Sequence, residues 1–493
     1  MKRNLPETDT NGALPEQFRE HPAAQKKTDV LLDLIRDGRP MTLRQQLRLT
    51  VELSVPAIIA QLSSIIMQYI DAAMVGRIGA EASASIGLVS TTTWLFWGLC
   101  TAAATGFSVQ VAHRIGAGDL KGARMILLQS LAGTLVFSLL LAVLGAGISS
   151  SLPAWLGGDV SIRRDASIYF FIFSIFLPVL QMIFLAGGML RCSGNMRIPS
   201  LLGVIMCVLD VVFNFFLIFP TRGYSVADMQ FTIPGAGLGV NGAALDTAAA
   251  ETVVAGVLLW YLLTRSEKLS YRSREGSFRL KADTFRKAFR IGFPMGIEHV
   301  VICGAQILTT VIVAPLGVFA IAANSFAITA ESLCYMPGSD ALATTLVGQS
   351  IGAGRKKLTR SFANITVLMG MAIMGVMGIL MYLFAPQIIG MMTPVEEIRL
   401  LGVMALRIEA FAEPMFAASI VAYGVFVGAA DTLVPCLMNL FSIWAVRLTL
   451  AAWLAPTLGL QGVWIAMCVE LCFRGLIFLV RLKRGRWLKC DKT

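Results

Sequence analysis

The sequence predicts an all-α integral membrane protein. Its twelve transmembrane helices would form two six-helix lobes, related by a parallel internal repeat with a pseudo-two-fold axis along the membrane normal. Three observations carry this: the composition, the spacing of apolar stretches, and landmarks that recur at a nearly constant offset. Of 493 residues, 56% are hydrophobic and 14% charged, with a mean hydropathy of +0.72. A soluble domain carries about 25% charged residues. A water-facing fold cannot absorb that much apolar surface, so lipid is the solvent for most of the chain.

The net charge of +11 does not call for nucleic acid. The Lys and Arg residues sit in short gaps between long apolar runs rather than in a basic domain interleaved with aromatics. Nine Cys without a CxxC and only three His point to neither a metal centre nor a disulfide scaffold, and no cofactor is expected.

Residues 1–45 read as a polar N-terminal tail without the layout of a signal peptide, with a short amphipathic helix at 30–35. Crossing roughly 30 Å of hydrocarbon takes about 20 apolar residues. The stretches that qualify are 52–75, 84–112, 122–148, 165–186, 198–220, 236–264, 289–314, 319–348, 359–383, 402–423, 434–456 and 459–481. The first six fall in a lobe at 46–264, and a basic linker at 265–288 is the longest connector between spans. A second lobe occupies 289–482, and 483–493 form a C-terminal tail.

An even number of spans puts both termini on one side. Of the 41 Lys and Arg residues, 33 fall in the tails, in the gaps on that side and at the span ends bordering them, against five in the opposite gaps. The positive-inside bias therefore makes both termini cytoplasmic.

The repeat is legible in short phrases. RIGAGDLKGAR at 114–124 returns as SIGAGRKKLTR at 350–360, an offset of 236. Pro56 aligns with Pro294 at 238, and Arg191 to Pro199 (RCSGNMRIP) aligns with Val427 to Pro435 (VGAADTLVP) at 236. The glycines of the phrase permit a left-handed turn or close helix approach, and its basic residues mark the membrane boundary. A phosphate cradle does not fit, because neither copy has the GxxxxGK[ST] spacing.

Ionisable groups in hydrocarbon cost roughly 2.5–3.5 kcal/mol each on lenient scales, which makes every one a candidate for function. Those within or beside the spans are Asp71, Asp210, Glu251, Glu298, Glu331, Asp340, Arg407, Glu409, Glu413, Arg447, Glu470 and Arg474. Asp71 can carry a proton, or hold sodium with other oxygens. Asp210 stands one turn before Asn214, so carboxylate and amide share a face. Glu298 follows Pro294 by four residues, where a kink frees backbone carbonyls. Glu331, Asp340 and Glu413 complete the candidates for cation coupling, with Glu409 and Glu413 on one face of the tenth span. Arg447 and Glu470 are expected to neutralise each other, with Arg474 an alternative partner for Glu470. Tyr69, Trp94, Trp97, Tyr335 and Phe416 are candidates to line a cleft for flat organic cations. The bland reading of each acid is a structural interhelical bond, and of each aromatic, packing.

The order P56AIIAQL, D71AAMVGRIGAEA, R114IGAGDLKGAR, G188MLRCSGNMRIP, then P294 through V347GQSIGAGRKK resembles the multidrug and toxic compound extrusion family over residues 45 to 485. No single motif is specific, but their order and duplicated placement are. The resemblance implies alternating-access export of organic cations or amphiphiles against inward protons or sodium. It also implies a functional monomer in a bacterial inner membrane and no enzymatic activity. Asp71 occupies the place of the family's first-helix acid. Relatives often carry Asn then Asp one turn later in the fifth helix, where this chain has Asp210 then Asn214. Sodium-coupled members place a seventh-helix Glu eight residues after the proline, where this chain has Ile302. A flippase for lipid-linked intermediates is the alternative on the same fold. It would want a markedly basic cavity, against the excess of intramembrane acids over Arg here.

Overall fold

The computed structural model describes residues 23–226, 229–270, 281–335 and 341–488. The helix α1 (Ala23–Arg36) is longer than the 30–35 segment expected, and it is docked rather than free: Leu31, Leu32 and Ile35 are buried on one of its faces. The sequence shows that apolar face but not the partner that covers it.

The helix α2 (Leu43–Gly76) starts at a capping box. The Thr42 hydroxyl accepts from the Gln45 N–H at 3.3 Å, and the Gln45 side chain accepts from the Thr42 N–H at 2.9 Å. Then come α3 (Ala80–Gly116), α4 (Leu120–Ile148), the single turn α5 (Leu152–Trp155), α6 (Val160–Cys192) and α7 (Arg197–Leu217). The strands β1 (Pro220–Val226) and β2 (Met229–Ala236) pair antiparallel, with Tyr224 opposite Phe231. This hairpin departs from the all-helical expectation. The connector is long enough to pair with itself, and its backbone groups are satisfied without a helix.

After α8 (Val240–Thr264) come α9 (Ala282–Val313), α10 (Val318–Tyr335), α11 (Ala341–Gly352) and α12 (Lys356–Met392). The chain ends with α13 (Glu396–Glu409), α14 (Glu413–Gly428), α15 (Leu433–Phe441), a π-helical stretch at Ser442–Leu448, α16 (Thr449–Leu458) and α17 (Leu460–Arg484). Among the described residues, ten helices are long and apolar enough to cross a membrane. The α13–α14 pair, bent by 60°, is long and apolar enough when taken together, as a broken span or a re-entrant loop, and Val318–Ser332 is a shorter apolar helix.

The bend corrects one expectation: the chain breaks at 410–412, so Glu409 and Glu413 do not share the face of one straight helix. Pro414 lies in the first turn of α14, where its missing N–H leaves no helical bond to lose.

Lipid-facing surfaces are apolar: on α4, Leu140 and Val143 are 66% and 73% exposed. Inside, apolar clusters largely keep to one half of the chain. Phe107, Val111, Leu127, Leu185 and Leu258 pack together in the first half. Ala327, Ala405, Met467 and Trp464 do so in the second. The halves meet where α3 runs along α9 and α11.

That meeting depends on glycine. A Cβ on Gly116 would lie 2.0 Å from the Gln349 carbonyl oxygen, and one on Gly352 would lie 2.0 Å from that of His113. Each residue of the first contact is 236 positions from its counterpart in the second, so the two contacts are reciprocal. The neighbouring polar contacts follow the same rule. The Gly428 carbonyl accepts from His113 Nε2 at 2.8 Å, and the Cys192 carbonyl accepts from Gln349 Nε2 at 2.7 Å. His113 is therefore part of the junction between the halves.

The turns that follow also match. Gly118 and Gly354 both adopt positive φ, +76° and +70°. Asp119 N–H bonds back to the Arg114 carbonyl at 2.9 Å, and Arg355 N–H to that of Ser350 at 3.0 Å.

Candidate functional site

Two buried polar clusters hold most of the predicted acids. In the first, α2 brings Asp71 to α7, which carries Asp210 and Asn214 one turn apart. The Asn214 amide nitrogen donates to Asp71 Oδ1 at 2.7 Å and to Asp210 Oδ2 at 3.0 Å. Both amide hydrogens are thereby spent on carboxyls from two helices. The Asp71 and Asp210 carboxyls are thereby held on one amide group. Asp210 and Asn214 are buried, and Asp71 is partly open.

Helix α8 completes this cluster with a residue that the sequence reading did not single out. Asp246 is fully buried, and its Oδ1 accepts from the Thr247 hydroxyl at 3.3 Å. Tyr169 of α6 packs on the neighbouring apolar cluster of Val75, Ile218 and Val240. Asp246 was within reach of the sequence, since it lies in the apolar stretch 236–264, but the small residues around it gave no sign of the direction it faces.

The second cluster lies between α10, α13, α14, the π-helical stretch and α17. Glu331, Glu409, Glu413 and Glu470 are buried there with Arg447 and Arg474 in electrostatic reach. Glu470 pairs with Arg474 at 3.1 Å and accepts from the Ser442 hydroxyl at 2.6 Å. The expected Arg447–Glu470 pair is replaced: Arg447 Nη2 points instead to the Met467 sulfur at 2.7 Å. The π-helical stretch from 442 to 448 shifts the register, so Ser442 rather than Arg447 meets Glu470. Neither carboxylate oxygen of Glu409 accepts a hydrogen bond among the described residues. With four acids against two arginines, the cluster carries excess negative charge unless protons or cations join it.

Glu298 belongs to neither cluster. Its Oε1 accepts from the Asn439 amide at 2.5 Å, which ties α9 to α15. Asp340 lies outside the described residues, as does the side chain of Tyr335.

The aromatic candidates separate. Trp94 and Trp97 on α3 stack at 6.0 Å, are 42% and 40% exposed, and present a joint face, with Trp97 set edge-on to Phe184 at 4.8 Å. The Tyr69 hydroxyl donates to the Thr329 carbonyl at 3.2 Å, reaching from α2 to α10. The ring of Phe416 instead holds the Arg474 guanidinium at 5.4 Å, which makes it part of the second acidic cluster. Among the described residues, no group of three or more His, Cys, Asp or Glu side chains is arranged to hold a metal ion.

Comparison with known proteins agrees with this architecture. The chain is 25% identical over 443 residues to a probable multidrug resistance protein NorM of Thermotoga maritima, covering 89% of this chain and 92% of that one. It is 23% identical over 464 residues to the multidrug resistance protein PmpM of Pseudomonas aeruginosa, covering 91% and 93%. A multidrug resistance MATE family transporter solved in an outward-facing conformation superposes with a TM-score of 0.83 at 19% identity, covering 94% of this chain and 99% of that one. That likeness establishes a common fold. The MatE family description matches residues 56–216 and again 294–453, two segments whose starts are 238 positions apart. The chain belongs to the MatE family, the multidrug and toxic compound extrusion proteins.

Proposed function

We propose that the protein is a secondary active antiporter that exports organic cations or amphiphilic drugs in exchange for protons, by alternating access. The observation that carries the reading is the Asn214 amide bridging Asp71 and Asp210 at 2.7 and 3.0 Å. Two carboxyls held at hydrogen-bond distance from one amide group lie close enough to repel, and a proton or another cation offsets that charge. Loading and unloading that cation would change the charge of a buried station in step with substrate, which is the differential binding that coupling requires.

The architecture in this reading is twelve spans in two six-helix lobes, the N-lobe at 46–264 and the C-lobe at 289–482, joined by the linker at 265–288. Helices α10 with α11, and α13 with α14, each count as one span. The reciprocal contacts of Gly116 and Gly352, made by residues 236 positions apart, support a two-fold relation along the membrane normal. The end of the bundle carrying these junctions and most basic residues is taken as cytoplasmic. Lobes that touch there leave the cleft open to the opposite side.

Asp71, Asp210 and Asn214, with Asp246 added, form the N-lobe coupling station, and Glu331, Glu409 and Glu413 the C-lobe one. Glu298 ties α9 to α15 within the C-lobe. Trp94 and Trp97 supply an aromatic face for flat cations, and Tyr69 closes against α10. No partner subunit is needed to form the cleft.

Efflux of a fluorescent organic cation from proteoliposomes, with pH and sodium gradients imposed separately, tests the reading. A pH gradient alone is expected to drive efflux. Asp71→Asn is expected to lower it at least about 100-fold while leaving the folded yield unchanged. Efflux that needs only sodium would overturn proton coupling, and full gradient-driven efflux in Asp71→Asn would remove the bridge from the mechanism.

A further inference from the structure

Helix α1 precedes the first span, yet it does not lie on one half of the molecule. Its buried Leu31, Leu32 and Ile35 share a single apolar cluster with Leu49 and Leu53 of α2, Met196 after α6, Leu342 and Leu346 of α11, and Leu358 and Phe362 of α12. Polar ties repeat this straddling geometry. The Thr28 hydroxyl donates to Glu52 Oε2 of α2 at 2.8 Å. On the other side, Arg355 Nη1 donates to the Leu34 carbonyl at 2.9 Å. That carbonyl belongs to the last turn of α1, where unpaired carbonyls and the helix dipole favour a cation. Arg355 belongs to the repeated glycine-basic phrase, so α1 reads the turn that follows the second-half junction. Its connection to α2 is the short segment 37–42, so α1 is tethered to the first half by the chain and to the second by non-covalent contacts alone.

We infer that α1 is a latch on the basic end of the bundle: docked, it holds the two halves together there, and its release precedes opening to that side. The inference rests on the alternating-access reading. Separating α3 from α11 at this end would pull Leu346 and Phe362 away from Leu49 and Leu53, and α1 fills the seam between these two sets. It therefore favours the state in which the opposite side is open, in proportion to the contacts it loses on opening. A helix that only anchors the chain to the first half would need neither Arg355 nor the α11 and α12 contacts.

Hydrogen–deuterium exchange of the full chain in lipid nanodiscs distinguishes latch from anchor. In the parent protein, tetraphenylphosphonium is expected to move exchange in opposite directions at 106–116 with 341–352, the basic end, and at 81–95 with 318–330, the other end. Without that opposition, both the alternating-access reading and the latch fall. Given it, L32D/I35D should speed exchange at 106–116 and 341–352 by about 10-fold and slow it at 81–95 and 318–330 by about threefold. Faster exchange confined to α1 and residues 190–196 would overturn the latch and leave alternating access standing. Should the double substitution not yield folded protein, Arg355→Ala carries the test: a smaller shift of the same opposite signs is expected, and unchanged exchange at both ends would overturn the latch.

Discussion

Asn214 spends both amide hydrogens on two acids from different helices, so its place is fixed from both sides. The swapped order, acid then amide along α7, still builds a bridge because four residues make about one turn. Outside the spans, Lys268 shows how burial acts on a single charge. Its ammonium donates to the Ser193 carbonyl at 2.9 Å. Burial, then the nearby charge of Arg36, pushes its pKa down to about 8 from 10.5. A lysine with a lowered folded-state value costs stability in full below about pH 8. The cost fades as the pH rises from there towards 10.5, where the unfolded chain also loses the proton. The parent should therefore gain stability relative to Lys268→Met between pH 8 and 10.5. A difference between their denaturation midpoints that stays constant over this range would contradict the buried-charge account.

Helix ends differ in how faithfully the two halves repeat them. The turn at Gly194, with φ of +96°, has its counterpart 236 positions on at Ala430, with φ of +57°. Ala430 is the one non-glycine residue with positive φ among the described residues. A left-handed Cβ costs roughly 1–2 kcal/mol, partly offset by the greater freedom of glycine in the unfolded chain. Ala430→Gly should therefore raise stability by about 1 kcal/mol, read as a higher melting midpoint in detergent. A lower midpoint would mean that the alanine methyl does more than fill space. The prolines diverge as well. Pro178 lies inside the continuous α6, whereas Pro414, also 236 positions on, begins α14 after a 60° bend. Gly378 of α12 permits that bend, because a Cβ there would meet the Ala410 carbonyl at 2.9 Å.

For the whole molecule, the decisive surface is the junction of α3 with α11. Because Gly116 and Gly352 each face a carbonyl of the other half, Gly352→Val should hold the basic end apart and abolish coupled efflux. Exchange at 106–116 should rise with it. Gly147→Ala makes the control: nothing lies within 4 Å of a Cβ added there, so efflux is expected within about twofold of the parent. Normal efflux in Gly352→Val would show that the halves do not need this close approach.

The amino-acid sequence by itself determined the lipid solvent, the span-length helices and the landmarks at offsets of 236 and 238, because hydrophobic length and glycine placement are local properties. It marked Asp210 and Asn214 as sharing one helix face, and Asp71 separately as an acid in an apolar run, for the same reason: helical spacing and polarity within apolar runs are read along the chain. Only the tertiary structure decided that Asp246 joins them, that Arg447 turns to Met467 rather than Glu470, and that Glu298 binds Asn439. These outcomes depend on helix rotation, on a π-helical stretch and on which backbones glycine lets approach. Contacts between residues more than a hundred positions apart leave no periodic trace in sequence. The docking of α1 is of this kind: its apolar face was visible, but the seam that covers it exists only once both halves have folded.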